Sequence, residues 1–303
     1  MLAAADSATK LHAKMEYFMK IRIGRHVSVA GSLAAAAERA REIGADTLQI
    51  FSSSPRMWRG SMPASDDIRR FRELRESFHL HPLVIHDNYL INLPAADREV
   101  RRKSIAAFRD EVERAAAIGA DYLVAHPGSY REQTIDSAIA AFADSLEAAT
   151  GRLHPGSVTL LLECTAGQGS SLGRTLEELA RLRDVSVGRT PLRIGFCLDT
   201  CHLFAAGYDI STAAGLDDTL HQAERILGLS NIPVIHANDS KTPLGSLRDR
   251  HEQIGKGYIG EEAFHRILTN PRLDGKSFLL ETPVEEEGDE ERSIATLRRL
   301  AKK

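Results

Sequence analysis

Histidines and carboxylates recur in this sequence at one kind of position. His26, His86, His126, Glu163, Asp199, His236 and Glu281 each close a short β-prone run. An ionisable group at the end of a buried strand is costly unless it is paired, bound to a metal or open to a site. Any one of them alone is more often a hydrogen-bonded structural residue. As a set, imidazoles and carboxylates without a thiolate are the mixture that suits a zinc or manganese hydrolytic centre. Two further pairs join it. Asp199-Thr200-Cys201-His202 sets a carboxylate and an imidazole three residues apart at a strand terminus. Asp249-Arg250-His251 sets them two apart in a long loop, where extended backbone points both the same way. Cys164 and Cys201 lie beside this set, but strand alternation turns Cys164 from the side that Glu163 faces. Both are expected to be packing residues.

The elements that must position these side chains follow a repeating grammar of β-rich run, polar residues and amphipathic helix. The strands expected are Ile21–Ser28, Thr47–Ser53, Pro82–Asp87, Tyr122–Gly128, Thr159–Thr165, Ile194–Thr200, Val234–Asp239 and Ser277–Pro283. Between and after them, helices are expected over Ser32–Ile43, Ser65–Phe78, Ala96–Ile118, Arg131–Thr150, Arg174–Arg183, Ala213–Leu227, Glu261–Leu268 and Asp289–Ala301. Runs such as Leu160-Leu161-Leu162 and Phe278-Leu279-Leu280 are apolar without alternation, as parallel strands covered on both faces require. Eight strand-helix units predict an α/β protein with a closed (β/α)₈ TIM barrel, and a doubly wound open sheet is the competing architecture. No Gly-rich dinucleotide fingerprint follows the first strand. The chemistry-bearing residues fall at the carboxyl ends of the strands, the face where barrel enzymes build their sites. Residues 20–303 are expected to form one domain, and residues 1–19 a poorly ordered extension, with Met15 or Met19 as alternative starts.

The 303 residues, 43% hydrophobic, can bury a full core. No apolar run spans a bilayer, and the opening segment lacks the order of a secretory signal, so a cytoplasmic protein is expected. Three cysteines argue against a disulfide framework. The formal charge of −3 by itself gives no reason to expect nucleic-acid binding.

Longer motifs carry the reading further. They are His86-Asp87-Asn88-Tyr89-Leu90-Ile91-Asn92, His126-Pro127-Gly128-Ser129, Glu163-Cys164-Thr165-Ala166-Gly167-Gln168-Gly169 and Asp199-Thr200-Cys201-His202-Leu203-Phe204-Ala205-Ala206-Gly207-Tyr208-Asp209. With them stand His236-Ala237-Asn238-Asp239-Ser240-Lys241, Asp249-Arg250-His251 and Ile254-Gly255-Lys256-Gly257-Tyr258-Ile259-Gly260. In this order, and from about Ile21 to the carboxyl end, the chain resembles the endonuclease IV family. Arg25, where a small residue is more familiar, and Tyr258, where Asn is common, depart from the pattern without touching a candidate ligand.

The resemblance implies three Zn²⁺ ions, with Mn²⁺ possible at some positions. His86, His126 and Glu163 would hold one; Glu163, Asp199, His236 and Glu281 a second, with Glu163 as the bridge; His202, Asp249 and His251 the third. Glu163 and Glu281 are the implied catalytic carboxylates, Glu281 orienting the nucleophile besides serving as ligand. The implied DNA contacts are Arg56, Tyr89, Leu90 and Lys241. The implied activity is hydrolysis, by a three-metal hydroxide mechanism, of the phosphodiester bond 5′ of an abasic site in duplex DNA. A 3′-hydroxyl and a 5′-deoxyribose phosphate remain, and the enzyme is expected to act as a monomer with no membrane partner. Three divalent ions would shift the chain's −3 to about +3, which answers the objection from composition. The competing reading is a metal-dependent sugar isomerase or epimerase on the same barrel.

Overall fold

Eight parallel strands close into a barrel in the computed structural model, which describes residues 21–302. They are β1 (Arg22–His26), β2 (Thr47–Phe51), β3 (Leu83–His86), β4 (Tyr122–Ala125), β5 (Thr159–Glu163), β6 (Arg193–Asp199), β7 (Val234–His236) and β10 (Ser277–Leu280). Each lies beside its neighbours in chain order, and β1 closes the ring against β10 in the register Arg22 to Ser277 through Arg25 to Leu280. The first and second strands approach so closely that a Cβ on Gly24 would meet the carbonyl oxygen of Thr47 at 1.9 Å, so β1 needs glycine there. The extension expected over residues 1–19 lies outside the described residues.

The strand-connecting helices are α1 (Leu33–Glu42), α2 (Ser65–Phe78), α3 (Arg98–Ile118), α4 (Ile135–Thr150), α5 (Leu176–Ser186), α7 (Ala213–Ile226), α8 (Glu261–Leu268) and α9 (Asp289–Leu300). Several start later than expected because a side chain caps them. Asp97 accepts from the Glu99 and Val100 amides ahead of α3, Thr134 from Ser137 ahead of α4, and Thr175 from Glu178 ahead of α5. Each such cap satisfies amides that the first helical turn leaves unpaired and is worth about 1 kcal/mol.

A short helix and a two-stranded hairpin were not anticipated. A short helix, α6 (Thr200–Ala206), begins where a strand terminus was expected, with Asp199 as its cap accepting from the His202 amide at 2.9 Å. The seventh strand stops at His236 instead of Asp239, and Asp239–Ser240 pairs antiparallel with His251–Glu252 as the hairpin β8–β9.

Two apolar layers follow from strand alternation. Outward residues such as Leu83, Ile85, Leu160, Leu162, Phe278 and Leu280 pack under the helices. Val84, Val124, Leu161, Cys197, Val234 and Leu279 fill the barrel itself. Each fully buried aliphatic side chain contributes roughly 1.5–3 kcal/mol of transfer free energy. The inner layer also sets the site, because the residue two positions on faces the same way. Those residues are His86, His126, Glu163, Asp199, His236 and Glu281.

Candidate metal centre

Six side chains thus stand in one layer above the barrel's apolar plug. Glu163 is central and wholly buried. Its Oε2 lies 3.1 Å from Nε2 of His86 and 3.3 Å from Nε2 of His126, and its Oε1 lies 3.0 Å from Nδ1 of His236. Glu281 Oε2 is 3.4 Å from the same His236 nitrogen. His26, which also closes a strand, belongs to none of the clusters that could hold an ion.

The remaining three residues arrive by other routes. His202 sits in the first turn of α6, Asp249 comes from the loop leading into β9, and His251 opens that strand. They converge: Asp249 Oδ2 is 3.1 Å from His202 Nε2, and its Oδ1 is 3.2 Å from His251 Nε2. Candidate ligand atoms of His86, His126 and Glu163 all lie within 4.8 Å of one another, as do those of Glu163, Asp199, His236 and Glu281, and those of His202, Asp249 and His251. All nine ligands that the family resemblance implies are brought together. A fourth, overlapping group joins Cys201 to Asp199 and His251, so this cysteine borders the centre instead of only packing beneath it.

Hydrogen bonds fix which nitrogen each ring presents. A carbonyl oxygen only accepts, so His86 carries its proton on Nδ1 toward the Asp87 carbonyl (2.9 Å), and His202 on Nδ1 toward the Cys164 carbonyl (2.9 Å). His251 Nδ1 faces the Glu281 carbonyl at 3.4 Å. In each ring Nε2 is left to face a carboxylate. Nε2 of His202 and of His251 are buried yet complete no hydrogen bond. Buried nitrogens left in this state around shared carboxylates fit a cation, because metal-binding imidazoles hold their other N–H on an acceptor in this way.

The electrostatics agree. Burial alone would raise the Glu163 pKa, but the charges of His236 and His126 outweigh it and hold the carboxylate well below its usual range. Glu281 and Asp249 are likewise depressed against their burial, Glu281 by His236 and Asp249 by the imidazoles of His202 and His251 beside it. Burial works against a charged His86, but Glu163 overcomes it and raises the pKa to about 10. In the protein alone, protons on the histidines balance the carboxylates.

A supporting ring escaped the sequence reading. Asn238 donates to Asp199 Oδ2 at 2.6 Å and accepts from the Glu281 amide at 2.8 Å. Asp239 is wholly buried and accepts from the amides of Gly255, Gly257, Ile259 and Gly260, which holds the glycine-rich loop beside the β8–β9 hairpin. Gln49, buried in β2, contacts Glu281, His26 and His236. The only signal for Asn238 and Asp239 was their place in the motif after His236, and Gln49 had none.

The centre opens into a cavity of about 820 Å³, lined among others by His126, His202, Asp249 and, on one wall, Trp58, Tyr89 and Leu90. Tyr89 projects from the rim, 66% exposed, with its ring edge-on to Phe51. Arg56 is exposed on the adjacent loop, which the Asn88 side chain and the Tyr89 amide bind through the carbonyls of Met57 and Pro55. Beneath that loop, a buried Glu111–Arg114 pair joins Ser52 and the Gly60 carbonyl. Lys241 is not among the residues lining this cavity and lies 3.9 Å from both Glu252 and Glu285.

The chain matches a family model described as a xylose isomerase-like TIM barrel over residues 37–303. It is 55% identical over 281 residues to a probable endonuclease 4 of Solibacter usitatus, covering 93% of this chain and 97% of that one. A crystal structure of endonuclease IV from Thermus thermophilus superposes with a TM-score of 0.79 at 39% identity, covering 92% of this chain and 98% of that one. A D-tagatose 3-epimerase-like protein superposes with a TM-score of 0.66 at 20% identity over 93% of this chain and 97% of that one, a likeness of fold alone.

Proposed function

This chain belongs to the endonuclease IV family of xylose isomerase-like TIM barrels, and from that premise we propose that it is a zinc-dependent DNA-repair endonuclease acting at abasic sites. It hydrolyses the phosphodiester bond 5′ of the missing base in duplex DNA and leaves a 3′-hydroxyl and a 5′-deoxyribose phosphate. The proposed setting is a cytoplasmic monomer, with manganese able to replace zinc at some positions. Among the described residues no helix is long and apolar enough to cross a membrane.

The observation that carries this reading is the convergence of nine ligand-type side chains, including the separate His202, Asp249 and His251 group, at one open rim. Zinc ions bound there supply Lewis acidity that acidifies water and offsets charge on the phosphoryl group. His86, His126 and Glu163 would hold one ion, Glu163, Asp199, His236 and Glu281 another, and His202, Asp249 and His251 the third. Glu163 suits the shared position because its two oxygens face different partners, His86 and His126 on one side and His236 on the other. Glu281 is 18% exposed and can accept a hydrogen bond from an attacking water while its backbone stays tied to Asn238.

Selectivity for a missing base has a physical basis in the rim. A nucleotide without its base has lost stacking and pairing, so extruding it costs less than the few kcal/mol that an intact base requires. In this reading Arg56, Tyr89 and Leu90 fill the gap as wedge residues, and Lys241 meets a phosphate. Isomerisation of a sugar needs fewer ions, and the His202, Asp249 and His251 group favours the nuclease over that alternative.

The test is a duplex carrying one synthetic abasic site, incubated with and without chelator, with product ends mapped and zinc measured. Cleavage 5′ of the site, lost on chelation, with about three zinc per chain, is the expected result. An intact duplex with fully loaded protein overturns the proposal.

A further inference from the structure

Gln49 lies wholly buried on β2, and its one amide touches three groups of the centre. Nε2 donates to Glu281 Oε1 at 2.6 Å and meets His26 Nδ1 at 3.0 Å, while Oε1 lies 2.8 Å from His236 Nε2. A carboxylate only accepts, so the amide nitrogen must face Glu281 and the amide oxygen must face His236. That oxygen in turn only accepts, so His236 keeps a proton on Nε2, and Nδ1, which meets Glu163 Oε1 and Glu281 Oε2 at 3.0 and 3.4 Å, is the nitrogen free to give up its proton to a cation. Donation to Oε1 of Glu281 leaves Oε2 as the oxygen that faces the shared space.

We propose that Gln49 is a positioning residue of the metal centre: a single amide selects the metal-facing nitrogen of His236 and the metal-facing oxygen of Glu281. The inference rests on the zinc reading above and concerns the ion assigned to Glu163, Asp199, His236 and Glu281. His86, His202 and His251 are oriented by backbone carbonyls, which no substitution removes. His236 depends on a side chain instead. Gln49 is therefore a place where one ion can be loosened without altering a ligand. The same amide occupies Nδ1 of His26, which accounts for a strand-end histidine standing beside the centre outside every ligand cluster.

Metal-stripped wild type, Gln49→Ala and Gln49→Glu are titrated with zinc against a chromophoric competing chelator, with unfolding temperatures recorded for each. Gln49→Met, which refills the space, replaces Gln49→Ala should the latter not fold. Wild type takes up three ions. In Gln49→Ala one of the three binds roughly 10–100-fold more weakly and the other two are unchanged. Gln49→Glu keeps an acceptor for the His236 Nε2 proton but sets a carboxylate oxygen against Glu281 Oε1, so it too weakens that one ion and spares the other two. Three ions of wild-type affinity in Gln49→Ala overturn the inference while leaving the centre standing. So does a loss spread evenly over all three ions with a lowered unfolding temperature, which marks a packing residue. A wild type that binds no zinc overturns the centre and this inference together.

Discussion

Glu163 meets His236 at 3.0 Å, Oε1 to Nδ1, with both side chains wholly buried at the barrel axis. An isolated buried carboxylate would lose several kcal/mol of solvation. Here it is surrounded by imidazoles, and its second oxygen is taken up by His86 and His126. The centre is therefore organised around one residue that no neighbouring side chain can replace.

Glu163→Ala is expected to remove abasic-site cleavage, beyond the roughly 10–100-fold loss that a supporting residue costs, while the protein stays folded. Cleavage assays paired with circular dichroism check this. Near-normal activity in the variant would refute the central role of Glu163.

The metal-free protein should weaken as pH rises. Burial opposes charge on His251, but Asp199 and Asp249 outweigh it and raise its pKa to about 9, as Glu163 raises that of His86 to about 10. Because these values lie above the unfolded pKa of about 6.5, the stability they contribute is fully present below about pH 6.5 and lost as pH climbs through 9 to 10. Calorimetric unfolding of stripped protein at about pH 7 and about pH 10 should show the fall, and equal unfolding temperatures at both would count against it. Zinc added at about pH 7 must displace these protons, so the binding heat should vary with the ionisation enthalpy of the buffer.

Tyr89→Ala is predicted to narrow the preference for abasic over intact duplex more than it slows cleavage at saturating DNA. Tyr89 is exposed, its ring rests on Phe51 and lies 6.4 Å from that of His86, which the Asp87 carbonyl and Glu163 hold independently, so its removal leaves the metal ligands in place. Binding to both duplexes, measured beside single-turnover rates, separates the two effects. An equal loss on both substrates would remove the wedge role.

Asp239→Ala should destabilise the protein by at least about 3 kcal/mol, since four buried or half-buried backbone amides lose a charged acceptor. Chemical denaturation reads this directly. An effect under about 1 kcal/mol would show that water replaces the carboxylate without penalty.

The barrel was legible because a two-residue period is local. Val84 and His86, Leu161 and Glu163, or Cys197 and Asp199 declare a shared face within a few positions, and eight such runs closing with helices between them leave little choice of fold. Ligand type was equally visible, since imidazole and carboxylate announce their chemistry by identity. The sequence alone therefore determined the architecture and the face that carries the site; residue type and period also drew in His26, and it was the family resemblance that narrowed the set to the nine side chains that meet there.

What the tertiary structure decided are relations between segments distant in the chain. The α6 helix replaced an expected strand end because Asp199 caps it, a choice made by one side-chain hydrogen bond. Gln49 resembles any polar residue in a strand until barrel closure sets it against His236 and Glu281. Asp239 resembles any turn residue until four amides of a loop some twenty positions on fold over it. Which nitrogen of His236 faces the centre depends on an acceptor supplied from another strand. No local pattern encodes that acceptor, because a hydrogen bond across the barrel depends on where two backbones come to rest.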